Sequence, residues 1–197
     1  VFKAYDVRGI YPSEITDDLF HQLGRAFIAY LGPGRYAVTR DMRVSSPALS
    51  AAFIDGARRQ GGTLVDYGLV GTDQMYYAVA ADGLDGGAQI TASHNPGEYN
   101  GCKMVRAEAF PLSGEAGIKE MKDMIMAGAI PAPPAVPGTV ETRQIMDRYI
   151  EHVLSFVDEA SLKPFNVVLD AGSGVAGLVA PRLFDRLPCK TTRLCFE

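Results

Sequence analysis

The sequence predicts an α/β protein in which a mixed β-sheet is covered by helices and is followed by an incomplete second unit of similar type. Strand-like and helix-like segments alternate along most of the chain, as they do in α/β domains. Two neighbouring strands lie close enough in sequence to form an antiparallel hairpin, which makes the sheet mixed. The proline-rich segment PAPPAVPG, residues 131–138, predicts a linker that separates residues 1–138 from residues 139–197.

The first elements along the chain are a helix, a strand and a second helix. Large apolar side chains recur at helical spacing over residues 16–31, so they share one face of a helix. Residues 36–39 form a short apolar strand. Ser46 and Pro47 then supply an N-cap and a proline at the first helical position, which predicts a helix that runs to about Gln60.

The same alternation continues through the next seventy or so residues. A glycine pair ends the second helix, and the chain then predicts a strand at 63–67, a helix at 72–81 and a strand at 88–92. The dipeptide Asn100-Gly101 is typical of a tight turn, so we expect residues 102–105 to return as the hairpin partner of that strand. A helix over residues 113–127 completes the first unit.

The second unit begins with a predicted helix at 142–158, followed by a strand at 166–170, a glycine turn, a helix and a last strand. Two strands do not make a sheet that is stable by itself. The chain also opens on Val1 rather than methionine and stops directly after a strand-like segment. We therefore expect it to be a fragment of a longer protein.

Composition excludes several classes of function. The 19 Lys and Arg against 23 Asp and Glu give a net charge of -4 and form no basic stripe, so nucleic acid is not an expected partner. The apolar runs are too short to cross a bilayer and no leader opens the chain, which predicts a cytoplasmic protein without membrane contact. The 3 cysteines form no CxxC pair and the 3 histidines show no ligand spacing, so we expect packing thiols and no zinc site.

The segment AQITASHNPGEYNGCKM carries the chemistry. It places Ser93 on a polar loop at a strand end, and Pro96 restricts the backbone so that the loop can hold one shape. His94 is expected to point away from Ser93 because neighbours in an extended segment face opposite sides, which disfavours a hydrolase-type pair. The hairpin is expected to return Lys103 towards Ser93, where an ammonium can meet a phosphate or sugar hydroxyl. An ordinary polar turn with a solvated lysine stays open as the alternative.

Three motifs together resemble a known family: TASHNP at residues 91–96, AYDVRG at residues 4–9 and NGCK at residues 100–103. They are similar to those of the α-D-phosphohexomutases, specifically the phosphomannomutase/phosphoglucomutase branch, and the resemblance spans essentially the whole chain. It implies domain 1 of that family over residues 1–138 and the start of domain 2 over residues 139–197. The implied activity is an isomerase-class phosphotransferase that moves a phosphoryl group between C1 and C6 of a hexose phosphate.

The resemblance also implies the parts of the site. Phosphorylated Ser93 exchanges its phosphoryl group with mannose or glucose 1- or 6-phosphate through a hexose 1,6-bisphosphate. The implied catalytic residues are Ser93, Lys103 and His94, and the implied substrate or phosphate ligands are Arg8, Tyr5 and Asn95. Mg²⁺ is the implied cofactor, held by Ser93 through its phosphate and by ligands beyond Glu197, so the chain alone is expected to be inactive. Residues 40–46 also resemble a family motif, and we expect them to act as scaffold.

Two other classes of function remain open. The strand at residues 166–170, the G-x-G-x-x-G match from Gly172 to Gly177 and the acidic Glu197 have the layout of a dinucleotide fingerprint. A single glycine match is weak evidence, and the same glycines suit a tight strand-to-helix turn. The chain is also compatible with a regulatory or scaffolding module, although it shows no repeat, charged tail or heptad pattern.

Overall fold

A computed structural model describes residues 1–158 and 161–196. It contains the alternating strands and helices that the sequence predicts. The strands are β1 (Val7–Ile10), β2 (Arg35–Arg40), β3 (Thr63–Leu69), β4 (Gly86–Ile90), β5 (Tyr99–Arg106), β6 (Phe110–Pro111), β7 (Val140–Thr142), β8 (Asn166–Asp170) and β9 (Lys190–Leu194). The helices are α1 (Asp17–Leu31), α2 (Ser46–Arg59), α3 (Thr72–Ala81), α4 (Ile118–Met126), α5 (Met146–Leu154) and α6 (Ala176–Phe184).

The main sheet is mixed, as predicted. Its strand order is β1-β5-β4-β2-β3-β7, with β6 paired to β5. β5 runs antiparallel to both β1 and β4, whereas β4, β2, β3 and β7 are parallel to one another. The parallel strands therefore end together at one edge of the sheet, and the chain that leaves β4 at this edge carries Ser93.

Helices cover both faces of the sheet. α1, α2 and α4 bury a large apolar cluster against the face that carries Tyr36 and Val38 of β2. α3 covers the opposite face and buries a second, smaller apolar cluster there. Ile145, directly before α5, belongs to this second cluster. Cys102 lies fully buried in the larger cluster, and burial raises the pKa of its thiol, with the charge of Asp6 adding to the effect. This thiol is a packing residue, as the sequence predicts, whereas Cys195 is exposed, so the same expectation is wrong for that thiol.

α1 and α2 approach closely because two glycines meet at their contact. A Cβ on Gly24 would lie 2.1 Å from the carbonyl oxygen of Phe53, and a Cβ on Gly56 would lie 2.0 Å from that of His21. No side chain fits at such distances, so glycine at both positions lets the two backbones touch. The position of α2 matters for the site because Ser46 in its first turn donates to Asp41, which also accepts from Thr91 next to Ser93.

The hairpin of β4 and β5 is confirmed, but its turn is not where the sequence places it. Asn100 and Gly101 lie inside β5, and residues 91–98 form the connection instead. Asn100 is fully buried, and its carboxamide donates to the hydroxyls of Ser45 and Ser46 at 2.8 and 3.0 Å. Partners more than fifty residues away thus override the local turn preference of the dipeptide.

Three helix starts also differ from the sequence prediction. α2 begins at Ser46 with Ser45 as N-cap; the Ser45 side chain forms no capping bond, and its hydroxyl accepts from Asn100. α4 begins at Ile118, since Ser113 instead forms a short bridge with residues 116 and 117. α5 begins at Met146, because residues 140–142 form β7.

The proline-rich stretch and the segment after it both contact the first unit. The Pro131 carbonyl accepts hydrogen bonds from Arg25 at 3.0 Å and Gln60 at 3.1 Å. Beyond it, β7 pairs with β3, and α5 buries Ile150 and Leu154. The division after residue 138 stays a prediction, and the main sheet extends past that point.

The second unit is small and exposed. β8 and β9 pair in parallel as a two-stranded sheet connected by α6. None of the residues described from 155 to 196 is buried. In the described part of the chain, no helix combines the length and the apolar character needed to cross a membrane.

Candidate active site

Ser93 presents an exposed hydroxyl from an unusual backbone conformation. Its φ is 56°, in the left-handed region that L-residues other than glycine seldom adopt. Holding a non-glycine residue there costs about 1–3 kcal/mol, so the surrounding structure must impose it. The N–H of Ser93 donates to Thr91 Oγ1 at 3.0 Å, and its carbonyl accepts from Arg43 Nη2 at 2.9 Å. Both backbone polar groups of Ser93 are therefore fixed.

Arg43 lies beneath the loop and binds its backbone. Its side chain is only 6% exposed. Nη1 donates to the carbonyls of Pro96 and Tyr99 at 2.6 and 2.9 Å, and Nη2 donates to those of Ser93 and Asn95 at 2.9 and 2.6 Å. One guanidinium thus contacts three carbonyls of the connection between β4 and β5 and the carbonyl of Tyr99, the first residue of β5.

Asp41 links Arg43 to the other side of the loop. Its Oδ2 accepts from Arg43 Nε at 3.2 Å and from Thr91 Oγ1 at 2.7 Å. Its Oδ1 accepts from the Arg43 N–H at 3.0 Å and from Ser46 Oγ at 2.6 Å. Buried polar groups are costly unless they are paired, and this carboxylate has four donors. The network connects the end of β2, the start of α2 and the Ser93 loop.

Ser93 and His94 are closer than the sequence predicts. The expectation that their side chains point to opposite sides is wrong, because Ser93 Oγ lies 3.2 Å from His94 Nδ1. The rule of alternating sides holds for extended backbone, and Ser93 is left-handed. Both residues are exposed, so the pair is open to solvent and to a substrate.

Lys103 and Arg8 lie on the same face of the sheet. Lys103 pairs with Gln89 of β4, and Arg8 pairs with Gly101 of β5. Directly paired residues share a face, and so do residues two apart along a strand. That face is the one covered by α3, because Gly87, two residues before Gln89, lies against Met75. The hairpin therefore returns Lys103 alongside β4 rather than to the tip of the loop.

Arg8 has spare hydrogen-bonding capacity. One Nη forms an ion pair with Asp6, while the buried Nε finds no acceptor among the described residues. The Arg8 side chain is partly exposed, and the remaining N–H groups of such a guanidinium can bind an anionic group such as a phosphate. The role that the motif implies for Arg8 stays a prediction.

Tyr5 and Asn95, the other two implied ligands, differ in what they do. Tyr5 is 73% exposed on the segment before β1. Asn95 turns inward, and its Nδ2 donates to the Ala92 carbonyl at 2.8 Å. Asn95 thus supports the shape of the loop, and its implied role as a phosphate ligand stays a prediction.

The described residues do not fit a magnesium ion. No group of three or more His, Cys, Asp or Glu in the described ranges could hold a metal. Near the loop, Asp41 is occupied by four donors and Asp6 is paired with Arg8. Magnesium prefers several oxygen ligands in octahedral order, and these two carboxylates are not free to supply them.

The backbone N–H groups of the glycine turn are bonded to acceptors within the second unit. The N–H groups of Gly172, Ser173 and Gly174 bond to Asp170 Oδ1, to the Cys195 carbonyl and to the Ala171 carbonyl at 2.9, 2.7 and 2.9 Å. A pyrophosphate cradle requires such groups to be free. Glu197, the acidic residue of the fingerprint, lies outside the described residues. The geometry favours a tight strand-to-helix turn over a dinucleotide site.

Arg43 and Asp41 act as scaffold between a strand and a helix, as the sequence predicts. The structure adds what they support: both hold the Ser93 loop, and the sequence did not identify these contacts. The signal that could have found them is an Arg-Asp-x-Arg segment at the end of a buried strand, where two buried charges require partners.

Comparisons with known proteins agree with the motifs. Residues 1–128 match the family described as phosphoglucomutase/phosphomannomutase, alpha/beta/alpha domain I. A protein named phosphohexose mutases from Xanthomonas campestris pv. campestris (strain B100) is 40% identical over 197 residues, which is 100% of this chain and 44% of that protein. A phosphomannomutase from Escherichia coli is 38% identical over 187 residues, covering 94% of this chain and 41% of the relative.

A solved structure extends the likeness to the fold. The crystal structure of a phosphoglucomutase/phosphomannomutase family protein from Burkholderia thailandensis superimposes with a TM-score of 0.90 at 33% identity. The superimposed region is 100% of this chain and 44% of that protein. The chain therefore spans less than half the length of these relatives.

Proposed function

Because the chain belongs to the phosphoglucomutase/phosphomannomutase family and matches its domain I, we propose that it is the part of a hexose-phosphate mutase that carries the transferred phosphoryl group on Ser93. The observation that carries the proposal is the conformation and exposure of Ser93. Its hydroxyl is exposed while both of its backbone polar groups are tied down. A fixed backbone with a free nucleophilic oxygen suits phosphoryl transfer, which depends on positioning more than on basicity.

The proposed reaction is an exchange between Ser93 and a sugar hydroxyl. The hydroxyl oxygen of a hexose phosphate attacks the phosphorus of phosphorylated Ser93. The bond from phosphorus to Ser93 Oγ breaks, the hydroxyl loses its proton, and Oγ gains one, which leaves a hexose 1,6-bisphosphate. The other phosphoryl group then returns to Ser93 by the same steps in reverse, so the phosphate has moved between C1 and C6.

The neighbouring side chains supply charge and protons in this proposal. His94 Nδ1, 3.2 Å from Ser93 Oγ, can exchange a proton with the oxygen when the phosphoryl group leaves or arrives. Arg8 is partly exposed, so the guanidinium N–H groups that Asp6 does not occupy can bind a phosphate. Lys103, half-buried on the same face, contributes an ammonium that can balance phosphate charge or act as acid and base towards the sugar.

Magnesium, the substrate and the cellular location remain predictions. The described residues near Ser93 do not fit the ion, so the proposal assigns it no step and keeps the remaining ligands as expected beyond Glu197. The names of the relatives support a hexose phosphate as substrate without deciding between mannose and glucose. A cytoplasmic location is likewise a proposal.

The test is the phosphorylation state of Ser93 together with mutase activity. Intact-mass measurement of the natural-length protein after incubation with a hexose 1,6-bisphosphate should show one added phosphate, which peptide mapping places on Ser93. Ser93→Ala should lose both the phosphate and turnover. Ser155→Ala, which removes an exposed hydroxyl from the end of α5, is the matched control and should keep both. Normal turnover by Ser93→Ala would sink the proposal.

A further inference from the structure

We propose that Arg43 is the positioning residue of the phosphoryl-carrying loop. Its guanidinium holds the Ser93 backbone in the left-handed conformation that leaves Oγ exposed, and so determines the rate of phosphoryl transfer. This inference rests on the proposed function of Ser93. It assigns a kinetic role to a residue that contacts no substrate group in the proposed reaction.

The first support is the number of loop carbonyls that Arg43 gathers. Four carbonyls between Ser93 and Tyr99 lie 2.6 to 2.9 Å from its two terminal nitrogens. These oxygens belong to a connection without regular secondary structure over most of its length, so its shape depends on tertiary bonds. A planar cation with several donors can fix four carbonyls in one arrangement.

The second support is that the network reaches Ser93 from both sides. Arg43 binds the Ser93 carbonyl directly. On the other side, Arg43 holds Asp41, Asp41 accepts from Thr91, and Thr91 Oγ1 accepts from the Ser93 N–H. The peptide groups before and after the Ser93 Cα are therefore fixed by one buried ion pair. With both fixed, the direction of the Cα–Cβ bond follows.

The third support is that geometry, rather than charge, distinguishes Arg43. A lysine would keep a positive charge next to Asp41, but its ammonium is a point donor that cannot span four carbonyls. In-line transfer is sensitive to position, and a displacement of about 1 Å can cost about 100-fold in rate. Arg43→Lys should consequently slow transfer without removing the nucleophile.

The kinetic experiment uses the natural-length protein and a hexose phosphate substrate. Arg43→Lys should lower kcat by about 100-fold and leave KM within about 3-fold of the original value. Guanidinium ion, well below denaturing concentrations, should raise kcat of Arg43→Ala, whereas sodium ion at the same concentration should not. Arg25→Lys and Arg25→Ala are the matched controls, because Arg25 also donates to a backbone carbonyl, that of Pro131. They should show neither loss nor rescue.

A second experiment does not depend on activity. Amide hydrogen exchange should accelerate in Arg43→Lys at Ser93, Asn95 and Tyr99, whose N–H groups donate within the loop, while amides of β2 and β4 keep their rates. Unchanged loop exchange, or acceleration that includes the whole sheet equally, overturns the positioning role. An unchanged kcat, or a change confined to KM, also overturns it. If the unaltered protein has no mutase activity, the proposed function fails, and the exchange rates still decide whether Arg43 holds the loop.

Discussion

Ser93 combines an exposed hydroxyl with a backbone angle that serine rarely adopts. Its φ of 56° places it in the left-handed region, where a Cβ crowds the carbonyl oxygen and costs about 1–2 kcal/mol relative to glycine. The loop keeps a serine there, although glycine would fit with less strain. If Ser93 carries the phosphoryl group as proposed, its hydroxyl is kept at the expense of local stability.

Substitutions at Ser93 should separate strain from chemistry. Ser93→Gly and Ser93→Ala should both lose phosphorylation, because neither has an oxygen. Ser93→Gly should nevertheless be about 1 kcal/mol more stable than Ser93→Ala, since only glycine adopts this φ without strain. Urea unfolding of the two variants measures the difference. Equal free energies of unfolding would show that the left-handed conformation is not maintained in solution.

Lys103 offers a second test at the level of single residues. Lys103→Ala should lower kcat for the mutase reaction by about 100-fold or more, which is the usual range for loss of an acid or base. Lys103→Arg should recover little if the lysine exchanges a proton, because arginine stays charged. Lys119→Ala, on the exposed surface of α4, is the control and should not change kcat. Full activity of Lys103→Arg would reduce the role of Lys103 to charge alone.

Among the secondary-structure elements, α5 is fastened to the main unit by a cluster around Asp82 at the end of α3. Asp82 accepts from Arg148 of α5 at 2.7 Å and pairs with Arg143 at 3.4 Å, and the Tyr67 hydroxyl also donates to it. Burial by itself would raise the pKa of Asp82. The hydrogen bonds from Tyr67 and Arg148 and the charges of Arg148 and Arg143 together outweigh burial, so the pKa of Asp82 lies below its ordinary value.

This lowered pKa predicts acid sensitivity. Asp82 contributes stability at pH values above its ordinary pKa of about 4, and the contribution is lost as pH falls through the lowered folded-state pKa. Asp82→Asn should therefore cost about 1–3 kcal/mol at neutral pH and show a shallower loss of stability on acidification. Urea unfolding at several pH values measures both effects.

The control for this pH dependence is Asp123→Asn on the exposed surface of α4. Asp123 pairs with Lys119 at 3.6 Å, and its side chain is 62% exposed. Exposed pairs contribute little to stability, so this variant should match the unaltered chain at each pH. If Asp82→Asn showed the same slope as the unaltered chain, the cluster around Asp82 would not be a source of acid sensitivity.

At the scale of the whole molecule, the two units differ in burial. Two apolar clusters are buried between the main sheet and the helices on its two faces. The residues described after Leu154 include none that is buried. Regions with little buried surface open at a lower free energy than a packed core. The 197-residue chain should therefore open its second unit first.

Hydrogen exchange of the 197-residue chain checks this expectation. Amides of β8 and β9 should exchange faster than those of β2 and β4, and low urea should increase the difference. The reason is that β8 and β9 pair only with each other, while β2 and β4 have neighbours on both sides. Protection of β8 and β9 equal to that of β2 and β4 would mean that the chain unfolds as one unit.

The sequence alone determined the fold class and the family. Helical spacing of apolar residues, glycine and proline breaks and the alternation of segments predicted a mixed α/β sheet, and the structure confirms it. The motifs around Ser93 predicted the family, which the comparisons confirm. These signals are local, since each depends on residues within a few positions of one another.

Tertiary structure decided how the loop is held. Asn100-Gly101 has the local character of a turn, yet Asn100 is buried in β5 because Ser45 and Ser46 accept its amide hydrogens. Likewise, Arg43 reaches Ser93 across 50 residues of sequence. A buried cation binds whichever acceptors the fold places around it, and no spacing rule connects positions so far apart. The sequence therefore predicted Ser93 as the reactive residue, and only the folded chain showed that Arg43 holds its backbone.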